Sequence, residues 1–196
     1  MLVSLRKRKM KFSQQTPQEL KVLKTAQLDT PLGPMIAIAS NEALYLLEFV
    51  DRQDLEREIE SFKTRIKSTL TPGYTNSIYS IEKELRQYFE GNLQEFKTPL
   101  FLLGTPFQKS AWDQLRKIPY GKTVSYADQA SAIGKPKAYR AVAQANGCNR
   151  FPVVIPCHRV INTSGELGGY SSGLARKKWL LNHEKKKLQP QRTLST

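Results

Sequence analysis

Apolar residues fall in three short runs near the start of the chain. Val22–Leu28, Met35–Ala39 and Ala43–Phe49 read as strands, separated by the turn sequences Pro31-Leu32-Gly33-Pro34 and Ser40-Asn41-Glu42. The period then changes. Leu55, Ile59, Phe62 and Ile66 recur at i, i+4, i+7 and i+11, which predicts a helix over 53–66. A second helix is expected from about Ser77 to Phe89, stopping near Gly91-Asn92. Strands followed by helices make a small α/β layer over 21–100, preceded by a basic flexible tail over 1–20. Nothing in that layer carries evident chemistry, and its tyrosines at 45, 74, 79 and 88 fit packing.

From Thr105 the pattern shifts to short helices. Thr105-Pro106 suits an N-cap and first helical position, opening a helix to about Ile118 whose apolar face is Phe107, Ala111, Trp112 and Leu115. Ser125 caps a second helix, Tyr126 to Ile133; Gly134-Lys135-Pro136 connects it to a third, starting at Pro136 and running to about Asn146. Two short helices across a glycine-containing turn form a helix-turn-helix pattern. Alanines at 138, 141, 143 and 145 keep the last helix slim, with Arg140 and Gln144 projecting. A slim helix approaches the nucleic-acid backbone, or the narrower minor groove, with little sequence reading. The expected fold class is therefore α/β (α+β). A small N-terminal sheet-plus-helix domain, 21–100, precedes a mostly helical, winged helix-turn-helix-like domain, 105–187, and a flexible tail, 188–196.

Charge supplies a partner class. Residues 1–100 hold 15 basic and 13 acidic side chains, residues 101–196 hold 16 and 4, so the second half carries +12 of the net +14. That asymmetry favours a polyanion, nucleic acid first. A membrane surface fits less well, because the second half lacks a long amphipathic helix with aromatics on one face. No apolar run of about 18 residues is present, so no membrane-spanning helix is expected. The charged start of the chain also lacks the apolar stretch of a secretory signal. Two cysteines, Cys148 and Cys157, make no disulfide framework and fit a reduced intracellular compartment; with only His158 and His183 beside them, no zinc site is expected.

One segment invites chemistry. In Asn149-Arg150-Phe151-Pro152-Val153-Val154-Ile155-Pro156-Cys157-His158-Arg159-Val160 a buried apolar strand is expected to end at a proline, followed at once by Cys-His. A nearby base or positive charge turns a cysteine into a nucleophile. The same pair also suits a buried filler and a core histidine, because neighbours on a strand point to opposite faces.

Pro156-Cys157-His158-Arg159-Val160 resembles the active-site signature of the O6-alkylguanine-DNA alkyltransferases, which repair DNA by direct reversal. The likeness extends through Phe107-Gln108, Ile118-Pro119-Tyr120-Gly121, Ser125-Tyr126, Arg140-Ala141-Val142, Gly168-Gly169-Tyr170-Ser171 and Trp179-Leu180-Leu181-Asn182-His183-Glu184. It implies irreversible transfer of a methyl or larger alkyl group from O6 of guanine in double-stranded DNA to Cys157, once per molecule. Cys157 would be the nucleophile, His158 the general base through a water, and Glu184 the group that orients and charge-balances the imidazole. Tyr126 would help rotate the nucleotide and bond the flipped base. Arg140 would fill the space that the base vacates, with Ala138 and Ser125 beside them on the DNA face. Asn149 would brace the turn before the active-site segment; Val160, Tyr170 and Ser171 would wall the base pocket. The implied protein is a monomer of the cytoplasm, or of the nucleus in a eukaryote, with no membrane partner and no cofactor. The zinc of some relatives is not implied, because the N-terminal layer has no cysteine or histidine. Gly169 and Ser172 leave alkyl-size preference open, and a basic tail, 185–192, is expected beyond the essential core. The alternatives are a non-catalytic alkyltransferase-like lesion-binding protein, a helix-turn-helix regulator with an incidental thiol, and a thiol hydrolase.

Overall fold

The three apolar runs pair with one another, and a fourth strand joins them. In the computed structural model, which describes residues 20–188, β1 (Lys21–Leu28), β2 (Met35–Ala39) and β3 (Leu44–Phe49) are antiparallel. β4 (Ser68–Pro72) adds parallel to β1, giving the order β3-β2-β1-β4. Sequence patterning missed β4 because Ser-Thr-Leu-Thr-Pro offers one large apolar residue, which suffices at a sheet edge. Alternation sends Met35, Ala37 and Ala39 to one face and Ile36 and Ile38 to the other. α1 (Leu55–Ile66) lays Phe62 with Leu23, Ile38, Tyr45 and Leu46 in one cluster. α2 (Asn76–Glu90) commits Ile78, Ile81, Leu85 and Tyr88 to the main core. The tails expected at 1–20 and 188–196 lie outside the described residues, apart from Leu20 and Leu188.

The second half is built from α3 (Pro106–Leu115), β5 (Val124–Ser125), α4 (Tyr126–Ala132), α5 (Tyr139–Gly147), β6 (Val160–Ile161) and α6 (Leu174–Leu188). Four expectations need correction. α3 ends at Leu115, not Ile118, because turn bonds such as Ile118 N to Leu115 O take over. α5 begins at Tyr139 rather than Pro136: Ala138 N donates to Lys135 O at 2.8 Å, closing a turn over 135–138 that follows Gly134 at φ +72°. The segment 152–156 is not a strand. Pro152 and Pro156 have no N–H for a ladder, Val153 sits at φ +73°, and Ile155 N turns back to Phe151 O at 2.8 Å. Cys157–Arg159 then form one 3-10 turn. Lastly, Lys185–Lys187, expected in a tail, belong to the last turn of α6.

Two contacts fix the surroundings of Cys157. β5 and β6 pair in parallel, Val124 with Val160 and Ser125 with Ile161, which joins the start of α4 to the residues just after Cys157. α6 packs back on the Cys157 turn. The main apolar cluster is continuous from Leu28 and Met35 through Tyr88, Trp112 and Leu115 to Val160 and Leu180, so the two halves share one core. No helix among the described residues is long and apolar enough to cross a membrane.

Candidate active site

Cys157 opens the 3-10 turn with its side chain almost fully buried. Asn149, two residues past the end of α5, fixes the approach to it. Asn149 Oδ1 accepts from Phe151 N at 3.0 Å, an Asx turn, while its Nδ2 donates to Ile155 O at 2.9 Å and to Cys157 Sγ at 3.2 Å. The sulfur therefore has a fixed donor. Burial pushes the Cys157 thiol up to about 11; the Asn149 amide opposes this, Glu48 adds to it, and Lys177 opposes it.

Behind the turn, Glu184 of α6 is wholly buried rather than lost among its neighbouring lysines. Its carboxylate accepts from five donor atoms: Tyr88 OH (2.8 Å), Gly121 N (2.8 Å), His158 Nε2 (2.8 Å), and Arg159 Nε and Nη2 (both 3.0 Å). Burial alone would raise the Glu184 carboxyl, but the hydrogen bonds from His158 and Arg159, with the Arg159 charge, outweigh it and hold it well below the usual carboxylate range. Burial also keeps His158 below its usual value against the pull of Glu184. The consistent state has Glu184 ionised, Arg159 as its counter-charge, and a neutral imidazole. A carboxylate only accepts, so Nε2 must carry the ring proton and Nδ1 the free lone pair. Nδ1 is buried and has no protein hydrogen-bond partner. Arg159 also donates from Nη1 to Ile118 O at 2.6 Å, which locks the guanidinium.

In front of the turn lies a cavity of about 520 Å³. Cys157 lines it, with Tyr126, Tyr139, Arg140, Tyr170 and Ser171 among its walls. Tyr126 OH faces Gly169 O at 3.4 Å, and burial raises its pKa, with Cys157 adding to the rise. Gly168, at φ +64°, passes so close to the Tyr126 ring that a Cβ there would be crowded. Arg140 is exposed on α5 at the cavity edge. Val160 is buried in β6 just behind, and its carbonyl accepts from Lys177. Ser125 and Ala138 do not line the cavity. Ser125 spends its side chain capping α4 in a reciprocal pair with Asp128, and Ala138 is the residue before α5. No cluster of three His, Cys, Asp or Glu side chains that could hold a metal ion occurs among the described residues.

Patterning overlooked several contributors. Tyr88 counted as packing, and its ring is in the core, but its hydroxyl reaches Glu184. Arg159 stood in plain view as a basic residue inside an apolar segment. Lys177, fully buried, donates from Nζ to Val160 O at 2.6 Å and Gly169 O at 3.1 Å; burial lowers it to about 8 and Cys157 pulls it back up. Nothing distinguishes it by sequence within Arg176-Lys177-Lys178. Glu48, buried in β3, accepts from Ser172 Oγ at 3.0 Å and pairs with Arg52, so the sheet layer also holds the loop beside the cavity. Burial raises Glu48 to about 7, with Arg52, the Phe49 amide and Ser172 opposing.

Two family models match in succession: the ribonuclease-like domain of 6-O-methylguanine DNA methyltransferase over residues 23–102, and its DNA binding domain over 106–186. A methylated-DNA–protein-cysteine methyltransferase of Shigella flexneri is 40% identical over 167 residues, 81% of this chain and 93% of that protein. The constitutive methylated-DNA–protein-cysteine methyltransferase of Bacillus subtilis is 40% identical over 158 residues, 80% and 92% of the two chains. Among solved structures, Mycobacterium tuberculosis OGT in complex with DNA superposes with a TM-score of 0.72 at 37% identity, covering 85% of this chain and 94% of that one. With both halves matched in order, the chain belongs to the 6-O-methylguanine DNA methyltransferase family.

Proposed function

We propose that this protein repairs O6-alkylguanine in double-stranded DNA by taking the alkyl group onto Cys157. The observation that carries the reading is the position of Cys157, on the wall of an open cavity, with an amide donor on its sulfur and the His158–Glu184 pair behind it. Sγ forms a bond to the alkyl carbon as the bond from that carbon to O6 breaks, and the electron pair passes to O6 and the purine ring. The thiol proton leaves through a water to Nδ1 of His158, the departing purine takes one proton from solvent in the open cavity to become guanine, and the imidazolium returns its proton to solvent, so the count closes. Nothing is oxidised or reduced. The pKa near 11 means the thiol stays protonated until this relay draws the proton away. The product is a thioether with no easy leaving group, so each molecule reacts once. A lesion-binding protein that does not react would have no need of this thiol and relay.

Tyr126 is the group that bonds the flipped base and turns its nucleotide. Arg140 fills the gap in the stack, and extrusion costs a few kcal/mol, less for a weakly paired damaged base. Ser125 acts by capping α4 at the DNA face, Ala138 by leaving room beside α5, Asn149 by bracing Cys157. Tyr170 and Ser171 form the pocket wall; Val160, expected there too, lies buried behind it and serves through the carbonyl that Lys177 holds. The chain divides into a layer over 21–100 and a DNA-binding, alkyl-transferring domain over 105–187. The basic second half contacts phosphates in a salt-sensitive, largely sequence-independent way. The site of action is the cytoplasm, or the nucleus if the source is eukaryotic.

Incubation with O6-benzylguanine followed by intact-mass and peptide spectrometry tests the assignment. One benzyl adduct per molecule is expected, on Cys157, and none on Cys157→Ala. Absence of the adduct, or an adduct that survives the substitution, overturns it.

A further inference from the structure

Tyr139 is the first residue of α5 and leaves 46% of its surface exposed. The helix turns Val142, Ala145 and Asn146 inward. With about 100° between successive residues, Tyr139 falls on the same flank as Ala143, one turn later. Tyr139, Arg140, Ala143 and Asn146 line the cavity that holds Cys157; Ala141 and Gln144 do not. The phenol ring therefore stands beside Arg140 at the cavity wall, with the guanidinium carbon 5.7 Å from the ring centroid. Exposed cations surround it in sequence: Lys135, Lys137 and Arg140. Aromatic rings interleaved with cations suit nucleic acid held by its backbone and by the faces of its bases.

We propose that Tyr139 is a stacking platform, its ring covering a base next to the extruded nucleotide, beside Arg140. The inference rests on reading the cavity as an O6-alkylguanine site. Taking a base out of a duplex uncovers the faces of its neighbours. A guanidinium inserted into the gap covers part of that area, and the rest stays wet unless a second flat group meets it. A tyrosine ring matches a base in area and stacks on any of the four, so it adds affinity without reading sequence. The alanines of α5 supply no other group of that size on this flank.

The test uses a duplex with 2-aminopurine beside O6-methylguanine, and free O6-benzylguanine in parallel. Single-turnover rates are compared for the unaltered protein, Tyr139→Phe, Tyr139→Leu and Tyr139→Ala. Stacking on one base predicts that the duplex-to-free-base rate ratio falls about tenfold in Tyr139→Ala and nearly as far in Tyr139→Leu. Tyr139→Phe keeps the ratio within about twofold, and 2-aminopurine fluoresces more brightly in the Ala complex because its cover is gone. An unchanged ratio in Tyr139→Ala overturns the proposal. So does a Leu variant that matches Tyr, which makes the contribution mere bulk, or equal losses on both substrates, which place the ring in the pocket instead. Failure of the unaltered protein to take benzyl from the free base overturns the functional reading itself and is seen separately.

Discussion

The sheet layer and the Cys157 segment bury their residues by opposite rules. In β2 alternate side chains serve two different apolar clusters, one on each face of the sheet. From Phe151 to Val160 every residue is buried, so no alternation exists. The regular layer carries no nucleophile, yet two of its side chains are built into the site: Tyr88 on the Glu184 carboxylate and Glu48 on Ser172. The irregular segment carries the sulfur, and its own turn bonds are only part of what holds it. It is held by α6 through Glu184, by β3 through the bond from Leu47 N to Arg150 O at 2.9 Å, and by β5 through β6. Reactive groups here sit on irregular backbone, and regular elements fix their geometry.

The largest expected effect comes from removing the shared anion. Glu184→Gln leaves the Arg159 guanidinium buried without its counter-charge, so about 3–5 kcal/mol of stability should be lost. The transfer rate of the protein that remains folded should drop about 10²–10⁴-fold, the range for a lost general base. Urea midpoints and single-turnover benzyl transfer measure the two separately. A stability loss with an intact rate would reduce Glu184 to a structural role.

Tyr88→Phe asks how far the sheet layer enters the chemistry. It deletes one hydrogen bond to a charged group, about 1.5–3 kcal/mol. With one donor gone, the carboxylate stabilises an imidazolium better, so the His158 pKa rises and the acid limb of the rate–pH profile moves to higher pH. An unmoved limb confines Tyr88 to packing.

The smallest effect is read by mild acid. His158 is held below its usual 6.5 in the fold, so the unfolded chain takes up a proton first. Stability present above that pH is therefore lost as pH falls below it. Glu184, also depressed, adds a second loss below about 4.3. Glu48, raised to about 7, takes up its proton in the native state first and works the other way over part of this range. The readout is therefore the stability of the unaltered protein relative to His158→Gln, a difference that should shrink as pH falls below about 6.5. A difference that stays flat between about 6.5 and 5 would mean that the native imidazole is already charged, against the tautomer derived from Glu184.

Periodicity made the first three strands and the helices of the sheet layer legible, because each buries one face. β4 escaped because an edge strand needs little apolar surface. α6 escaped for a different reason: Lys177 and Glu184 occupy its buried side, so the stripe that marks a helix is broken by the charges that matter. The two prolines around 152–156 framed an apolar run that looks like a strand and folds as turns. Cys157 and His158 stood out by residue type alone, whereas Glu184 came only through family likeness, since a glutamate before three lysines suggests a surface ion pair. Tyr139 drew no notice because it interrupts a run of alanines that reads as helix propensity.

The depth of Cys157 bears on the protein's lifetime in a cell. Peroxide and small disulfides react with thiolates, and burial, by raising the Cys157 thiol, keeps the resting thiolate scarce. A molecule that can be discharged only once is thereby spared from being spent on stray oxidants, and its single charge is kept for a purine that brings its own alkyl group to the sulfur.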